Sequence, residues 1–185
     1  MSIQYLIMPF KSVGMQSLEY VLLGMIAQQP RHGYELHKGL STLEGLGLVW
    51  RVKQAQLYAI LDKLEAQGHI SARLIMTESH PPRKEYHLTG SGHKVFKEWM
   101  LSPVEHGREL RQDFLAKFYF ARLQGEETAR RVLEAQRKTL KIIQSRMEVE
   151  DGALSSSQSY EKQVYHFRMI QIQAFIDWLD SCLIK

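Results

Sequence analysis

Residues 52–70, VKQAQLYAILDKLEAQGHI, determine how the rest of the chain is interpreted. Leu57, Ile60, Leu61 and Leu64 recur at helical spacing, which predicts a helix with one stripe facing a core. The opposite side carries small residues, amides, an aromatic hydroxyl and a cation. Such a face is unusual for a helix that meets only water, and it therefore predicts contact with a partner.

The composition is typical of a globular protein. The 185 residues are 44% hydrophobic and 24% charged, and the net charge of +4 permits a nucleic-acid partner without requiring one. The single cysteine, Cys182, cannot form an internal disulfide or a thiolate zinc cage, and it fits a reducing compartment. The sequence shows neither an apolar run of membrane-spanning length nor a signal peptide, so we expect a cytoplasmic protein.

Regular elements are predicted on both sides of the opening segment. Apolar residues between 18 and 26 indicate a first helix that stops before Pro30, and a second helix opens near Gly33. The opening helix ends at Gly68, and two alternating stretches, ISARLIMTE and RKEYHL, follow it. Prolines disrupt a strand ladder, so the intervening SHPP is expected to be the loop between two strands. Thr89 is expected to cap a further helix.

Three short helices followed by a two-stranded ribbon is the order of a winged helix-turn-helix, whose third helix enters the DNA major groove. Ala55 and Ala59 keep that helix slim enough to approach base edges. Side-chain amides can pair with adenine, whereas tyrosine hydroxyls and cations can reach phosphates. On this basis the candidate DNA contacts are Lys53, Gln54, Gln56, Tyr58, Lys63, Arg73, Arg83 and Lys84.

Each candidate also has an ordinary explanation. Gln and Ala are common helix formers, and Tyr58 can pack on a neighbouring helix. Arg83 and Lys84 beside Glu85 can be a solvated strand edge. It is the order of the elements, with cations on the ribbon, that favours DNA binding.

The stretches HGYELHKGL, QLYAILDKLEAQGHI and PPRKEYHLTGSGHKVFKEWM resemble the amino-terminal signature of the PadR family of bacterial transcriptional regulators. The resemblance covers residues 17–101 closely, and GLVWRVKQAQLY resembles the long-tailed branch related to virulence-gene activators. It implies DNA binding by the third helix and the wing, with a backbone contact from Tyr34, and it favours a repressor. Many members have Ser or Thr and Gly where this chain has Gln54, Ala55 and Gln56, so the operator sequence cannot be inferred from the family.

The region beyond Pro103 reads as three further helices, the last two joined by a Ser-rich connection. The second of them has the three-and-four spacing of a coiled-coil seam, and the last is apolar nearly all round, which predicts burial on more than one side. We expect a homodimer, because paired recognition helices about 34 Å apart suit a palindromic site on double-stranded DNA. The predicted interface comprises Leu133, Leu140, Ile143, Val164, Phe167, Phe175 and Trp178.

The predicted fold is therefore mainly α with a small β-ribbon. It divides into an amino-terminal arm over residues 1–16, a winged-helix DNA-binding domain over 17–102 and a helical dimerisation domain over 103–185.

A small aromatic effector is a further expectation, because relatives in the PadR family bind flat aromatic or drug-like compounds. The side chains that would line such a pocket are Tyr20, Phe96, Trp99 and His166. The alternative, a filled core, is the more common arrangement of such residues. Some members of the virulence-activator-like branch are thought to work without an effector.

Other functions find little support in the sequence. TGSGH lacks the nucleophile-elbow spacing, GLGLV lacks the remaining residues of a phosphate loop, and neither His32 with His37 nor His87 with His93 has the spacing of a helical zinc pair. We therefore expect no enzyme, cofactor or metal site. The alternative to a DNA-binding regulator is a winged helix that docks other proteins without direct DNA binding.

Overall fold

The computed structural model describes residues 15–77, 80–155 and 157–184, so the expected arm over residues 1–16 lies almost wholly outside the described residues. Its elements, in chain order, are α1 (Ser17–Gln28), β1 (Arg31–His32), α2 (Gly33–Ser41), a 3-10 helix (Gly45–Leu48), α3 (Gln54–Ala66), β2 (Ile70–Thr77), β3 (His80–Leu88), α4 (Gly90–Leu101), α5 (Gly107–Glu109), a π-helical turn (Leu110–Phe114), α6 (Leu115–Leu123), α7 (Glu126–Gly152) and α8 (Ser159–Leu183). Within these ranges no helix is long and apolar enough to cross a membrane.

The described chain forms two compact units. The first contains residues 15–41, 52–77 and 80–99, and the second contains 42–51, 100–155 and 157–184. The division expected from the sequence, 17–102 and 103–185, remains a prediction.

The first unit has the helix order and ribbon of a winged helix, as the sequence predicted. The apolar stripe of α3 is buried: Leu57, Leu61 and Leu64 have no exposed surface. Gly68 ends the helix with a φ of 71°, a left-handed conformation that glycine adopts without strain. Thr89 caps α4, since its Oγ1 accepts a 3.1 Å hydrogen bond from the backbone N–H of Gly92.

The sheet has three antiparallel strands in the order β1-β3-β2. Strand β1 was not predicted, because two residues are too few to show an alternating pattern. Pro81 and Pro82 lie in β3 and not in a loop, which corrects the expectation from SHPP. Strand β1 pairs only with Glu85 and Tyr86, and the register with β2 becomes irregular after Ile75. The prolines are therefore tolerated, because few ladder hydrogen bonds are required of β3 at that point.

In the second unit α7 packs against α6 and α8. The seam of α7 is consequently buried within one chain, with Leu133 4% and Leu140 2% exposed. Intrachain packing thus covers both leucines, and their place in a dimer interface remains a prediction. The side chain of Gln136 exchanges two hydrogen bonds with the backbone of Val104, at 2.8 and 2.9 Å, which satisfies a buried amide.

The predicted interface residues of α8 differ in how far the chain itself covers them. Phe175 is half-buried, and its ring meets that of Phe114 edge to face with centroids 6.2 Å apart. The ring of Trp178 also meets Phe114 edge to face, with centroids 6.1 Å apart. Phe167 and Ile170, in contrast, are 60% and 56% exposed. Ile143 and Val164 are half-buried. The sequence therefore located an apolar helix correctly, but it did not separate the residues packed inside the chain from those left outside.

Candidate nucleic-acid interface

The first turn of α3 is open to solvent. Lys53, Gln54, Ala55 and Gln56 are all exposed, and among the described residues neither glutamine side chain has a hydrogen-bond partner. Ala59 is exposed one turn later. A helix end with small residues and uncommitted amides can approach a flat polar surface and hydrogen-bond to it.

A groove of about 730 Å³ lies between α3, the start of α2 and β3. It brings together the candidates Tyr34, Tyr58, Arg83 and Lys84, which are far apart in sequence. Its lining consists of His32, Gly33, Tyr34, Tyr58, Asp62, Pro82, Arg83, Lys84 and Tyr86. Three tyrosines, two cations and the carboxylate of Asp62 thus line one concave surface, on which Arg83 and Lys84 can meet an anionic group.

The ring of Tyr34 is held in place on two sides. It stacks on His32 with centroids 5.7 Å apart, and the guanidinium carbon of Arg83 lies 5.5 Å from its centroid. The backbone N–H of His32 donates to Glu35 at 2.8 Å, and its Nδ1 lies 3.0 Å from the carbonyl oxygen of Lys84. These contacts join the start of α2 to β3, so the unpredicted strand β1 positions the groove.

Gly33 permits the close approach of α2 and α3. A Cβ at this position would lie 2.7 Å from Cε1 of Tyr58, closer than carbon atoms approach in proteins. Tyr58 therefore rests against the start of α2 because residue 33 has no side chain. The HGY stretch was part of the family resemblance, but nothing in the sequence pattern indicated which ring this glycine accommodates.

Lys63 and Lys84 both form ion pairs within the first unit. The ammonium of Lys63 lies 2.6 Å from Oε1 of Glu19, a carboxylate that is 3% exposed. The ammonium of Lys84 lies 3.1 Å from Oε2 of Glu65, and this hydrogen bond raises the pKa of Lys84. Lys63 thus links α3 to α1. A signal for this pair was present in the sequence, because Glu19 is the one acidic residue in the apolar run of α1 and had to find a partner.

Arg73 is exposed on β2, where it pairs across the strands with Glu85, and it is not among the groove residues. Alternate residues of a strand face opposite sides. Arg73 therefore lies on the face of the ribbon opposite to its neighbour Leu74, whose cross-strand partner is Lys84.

Three of the candidate effector residues are buried in the first unit. Tyr20, Phe96 and Trp99 are 2%, 3% and 4% exposed, and the rings of Tyr20 and Trp99 stack in parallel with centroids 5.1 Å apart. Rings packed in this way are typical of a filled core, and the effector pocket remains a prediction. His166 lies on α8 in the second unit and is exposed. Within the described ranges no group of three or more His, Cys, Asp or Glu side chains is arranged to hold a metal ion.

Comparison with known proteins gives a consistent result. Residues 22–98 match the transcriptional regulator PadR-like family. The chain is similar to the negative transcriptional regulator PadR of Bacillus subtilis, with 25% identity over 91% of this chain and 97% of the relative. It is also similar to a probable transcriptional regulator of Mycobacterium tuberculosis, with 24% identity over 89% of this chain and 95% of the relative. These relatives are regulators and not enzymes, as expected from the sequence.

Among solved structures, the chain is similar to Bacillus subtilis PadR in complex with operator DNA. That likeness has a TM-score of 0.48 and 23% identity and covers 92% of this chain and 98% of the other. A second likeness is to a Streptococcus mutans UA159 protein, with a TM-score of 0.43 and 21% identity, covering 92% of this chain and 100% of the other.

Proposed function

Residues 22–98 form a PadR-like family domain, and from this premise we propose that the chain is a dimeric, sequence-specific DNA-binding repressor. The observation that carries the proposal is the groove beside α3, in which Tyr34, Tyr58, Arg83 and Lys84 converge next to an exposed, uncommitted helix end. Membership of the long-tailed, virulence-activator-like branch, and a cytoplasmic location, remain expectations.

In this proposal the first turn of α3 enters the major groove. The free amides of Gln54 and Gln56 read base edges, for which adenine N6 and N7 are the best matched pair. Ala55 and Ala59 allow the helix backbone to come close, and Lys53 neutralises a phosphate at the rim. Sequence specificity thus depends on two side chains that have no role inside the protein.

The groove between α3 and β3 positions the duplex without reading it. Arg83 and the hydroxyls of Tyr34 and Tyr58 bind a backbone phosphate, with Lys84 adding charge from the ribbon. Arg73 meets a phosphate on the other face of the ribbon. Lys63 is left out of the proposed contacts because it neutralises the buried carboxylate of Glu19, whereas Glu65, the partner of Lys84, is 34% exposed.

A second copy of the chain covers the exposed side of α8 in the proposed dimer. Phe167 and Ile170 are more than half exposed, and Trp178 is 36% exposed on the same helix. Large apolar side chains in such a group are typical of protein interfaces. A dimer also presents two α3 helices to a palindromic operator.

Repression is proposed because the Bacillus subtilis relative is named as a negative regulator, and that protein has been crystallised with operator DNA. No effector is assigned to the ring cluster of Tyr20, Phe96 and Trp99, since the three side chains are at most 4% exposed and the ring of Tyr20 stacks on that of Trp99.

The experiment that tests the proposal is a fluorescence-anisotropy titration against duplex from upstream of the chain's own gene, beside a scrambled duplex, over a salt series. We expect tighter binding to the native duplex and a steep loss of affinity with salt, because phosphate contacts release counterions. Arg83→Ala should weaken binding to both duplexes. It should also reduce the slope of log affinity against log salt concentration by about 1. Lys97→Ala, which removes an exposed cation from α4, is the matched control and should change neither.

Two results would count against the proposal. If no duplex binds at any salt concentration, the winged helix is a protein-docking module and not a DNA reader. If Arg83→Ala and Lys97→Ala behave alike, the groove does not contact the phosphate backbone.

A further inference from the structure

The connection between α2 and α3 is longer than a helix-turn-helix requires. Helix α2 ends at Ser41 and α3 begins at Gln54, whereas a turn of about 3–4 residues usually joins such helices. Residues 42–51 of this connection belong to the second unit, although the two helices that it joins belong to the first. The chain returns to the first unit at Val52, directly before the turn of α3 that carries Gln54 and Gln56.

The first turn of α3 has no side-chain cap of its own. The residue before the helix is Lys53, and in the described part of the chain its side chain makes no capping hydrogen bond. A cap normally stabilises the first backbone N–H groups of a helix, which have no partner within the helix. The side chains of Gln54 and Gln56 do not hold the turn either, since they make no hydrogen bond within the described ranges. The position of this turn therefore depends on the connection that precedes it.

A histidine of α2 holds the end of the connection. Nε2 of His37 lies 3.2 Å from the carbonyl oxygen of Val52, and the hydroxyl of Ser41 donates to the carbonyl oxygen of His37 at 2.7 Å. A carbonyl oxygen can only accept, so Nε2 of His37 carries a proton in this contact. The next carbonyl oxygen, that of Lys53, accepts a backbone hydrogen bond from Leu57 of α3 at 3.1 Å. His37 thus fixes the peptide group immediately before α3.

The earlier part of the connection has a closed shape within the second unit. The backbone N–H of Gly47 donates to the carbonyl oxygen of Glu44 at 3.0 Å. A Cβ on Gly47 would lie 1.7 Å from the carbonyl oxygen of Thr42, so this close approach requires glycine. The backbone N–H of Trp50 donates to the carbonyl oxygen of Leu46 at 2.9 Å, and Leu46 is 5% exposed. A segment closed by such contacts passes a displacement on to its end instead of absorbing it.

Helix α6 anchors this segment. The 3-10 helix Gly45–Leu48 packs against α6, and both belong to the second unit. A Cβ on Gly45 would lie 3.3 Å from Cε2 of Tyr119, so the ring lies close against the bare backbone of this glycine. The ring of Tyr119 is half-buried and meets that of Phe120 edge to face with centroids 5.4 Å apart. Tyr119 therefore limits where residues 42–51 can lie.

We propose that His37 and Tyr119 are positioning residues for DNA reading and that neither contacts DNA. This inference rests on the proposed function and adds to it what aims the two glutamine amides. An amide pairs with adenine through two hydrogen bonds at once, so each glutamine must be held within about 0.5 Å of the matching geometry. The hydrogen bond from His37 and the packing of Gly45 on Tyr119 act at opposite ends of the connection. The second unit thereby takes part in the choice of operator through its own residues 42–51.

Loss of a positioning residue and loss of a phosphate contact have different effects on binding. Removal of a phosphate contact lowers the salt dependence, because fewer counterions are released from the duplex. Removal of a positioning residue lowers the preference for the native duplex over the scrambled one, since both duplexes offer the same phosphates. The two roles are therefore distinguishable in one titration series.

The first test compares His37→Leu with His37→Gln by anisotropy on the native and scrambled duplexes across the salt series. Leucine removes the hydrogen bond to Val52, and we expect affinity for the native duplex to fall about tenfold, within the range for one amide–adenine pair. Affinity for the scrambled duplex and the salt slope should not change. Glutamine can donate from its amide at a similar reach and should retain most of the preference. His93→Leu, at an exposed histidine of α4, is the matched control and should bind as the parent does.

The second test compares Tyr119→Ala with Tyr119→Phe in the same titrations. The ring of Tyr119 makes the contact with Gly45, so phenylalanine should preserve the preference for the native duplex. Alanine should lower it, by a smaller factor than His37→Leu does. Sedimentation checks that both variants associate as the parent does, because Tyr119 lies in the unit that is proposed to form the dimer.

Hydrogen exchange on the free protein measures the positioning without DNA. The amide of Leu57 is hydrogen-bonded to Lys53 at the start of α3. We expect the amides of residues 57–59 to exchange faster in His37→Leu and in Tyr119→Ala than in the parent, with the amides of β2 and β3 unchanged. A change confined to the start of α3 distinguishes positioning from a general loss of stability.

Each other result contradicts a stated part of the inference. If His37→Leu and Tyr119→Ala keep the parent's preference for the native duplex, the inference is overturned and the proposed function stands. If only one of them keeps it, the role of that residue is overturned. A reduced salt slope in His37→Leu would make His37 a phosphate contact, and a His37→Gln variant that behaves like His37→Leu would exclude the hydrogen bond as the cause. Failure of the parent itself to bind any duplex would overturn the proposed function and this inference together.

Discussion

The two units expose different kinds of surface. In the first unit α3 buries its leucines completely and exposes amides and small residues, and the groove beside it collects hydroxyls and cations. In the second unit α8 buries Ile172, Ile176 and Leu179 but still leaves Phe167 and Ile170 largely in solvent. A helix that exposes polar groups above a closed core suits a hydrated, charged partner. A helix that remains apolar on its outer side suits another protein surface.

The two units also differ in how they satisfy a buried charged side chain. In the first unit the buried carboxylate of Glu19 is neutralised by the partly exposed ammonium of Lys63. In the second unit the buried ammonium of Lys117 donates to the carbonyl and hydroxyl oxygens of Ser102, at 2.7 and 3.1 Å. Burial lowers the pKa of Lys117 to about 8. Ser102 directly follows α4, so Lys117 places a positive charge at a helix carboxyl end, where the helix dipole favours it.

The largest effect is expected from Phe167→Asp combined with Ile170→Asp. If the outer side of α8 is the dimer interface, two carboxylates there must be desolvated on association, which costs several kcal/mol. We expect the dissociation constant to rise more than about 100-fold, so that the variant sediments as a monomer at micromolar concentration.

Leu123→Asp introduces the same charge at an exposed leucine of α6 and should remain dimeric. Trp178→Ala is less informative, because Trp178 also packs on Phe114 and Phe118 within the chain. A doubly substituted α8 that still forms a dimer would show that the interface is elsewhere.

Lys63→Met tests the ion pair that neutralises the buried carboxylate of Glu19. It leaves Glu19 buried without its cation, and removal of one partner from a buried pair typically costs about 3–5 kcal/mol. The exposure of Lys63 places the expected loss at the lower end of that range. Urea denaturation at fixed protein concentration measures it.

Glu19→Gln is the comparison for Lys63→Met. It leaves the partly exposed Lys63 able to turn toward water and should cost less. Equal losses from the two substitutions would mean that the pair stabilises the fold by packing alone.

Lys117→Met tests the buried ammonium of Lys117 through the pH dependence of the free energy of unfolding. The unfolded chain binds a proton at this lysine up to its ordinary pKa of 10.5, whereas the folded chain releases it near pH 8. Between these values the unfolded state holds more protons, so the stability of the parent rises with pH over that window. Relative to Lys117→Met, the parent should gain on the order of 3 kcal/mol between pH 8 and 10.5 and nothing below pH 8.

Denaturation of both proteins at a series of pH values gives this difference directly, and protein concentration must be held constant because association contributes to stability. A difference that stays flat across the window would show that Lys117 keeps its charge in the folded protein.

The smallest effect is expected from Gly33→Ala. The added Cβ would lie 2.7 Å from the ring of Tyr58 and must displace it, which widens the spacing of α2 and α3. We expect affinity for the upstream duplex to fall about tenfold, or about 1.4 kcal/mol, with a smaller loss of stability. Gly90→Ala is the matched control, since nothing lies within 4 Å of its added Cβ. Unchanged DNA affinity in Gly33→Ala would show that the position of Tyr58 is not needed for binding.

Local patterns in the sequence were sufficient for most of the first unit. The spacing of Leu57, Ile60, Leu61 and Leu64 predicted α3 and its buried side, because a helical repeat is visible within one element. Gly68 and Thr89 marked the ends of helices for the same reason. The exposed residues of α3 were also recognisable, since an amide-rich, small-residue face contrasts with the buried stripe on the same helix. Only the order of these elements was needed to predict a winged helix.

The tertiary structure alone decided which residues meet. Periodicity indicates that a side chain will be buried, but it contains no information about the neighbour that buries it. Leu133 and Phe167 both belong to apolar stripes, yet intrachain packing covers the first and leaves the second exposed. The approach of Gly33 to Tyr58 and the pairing of Glu19 with Lys63 join residues 25 and 44 positions apart, and such contacts follow from the packing of whole helices. For this protein, patterns within single elements predict the helices, the ribbon and their buried sides, whereas the groove and the surface left open for a partner depend on three-dimensional packing.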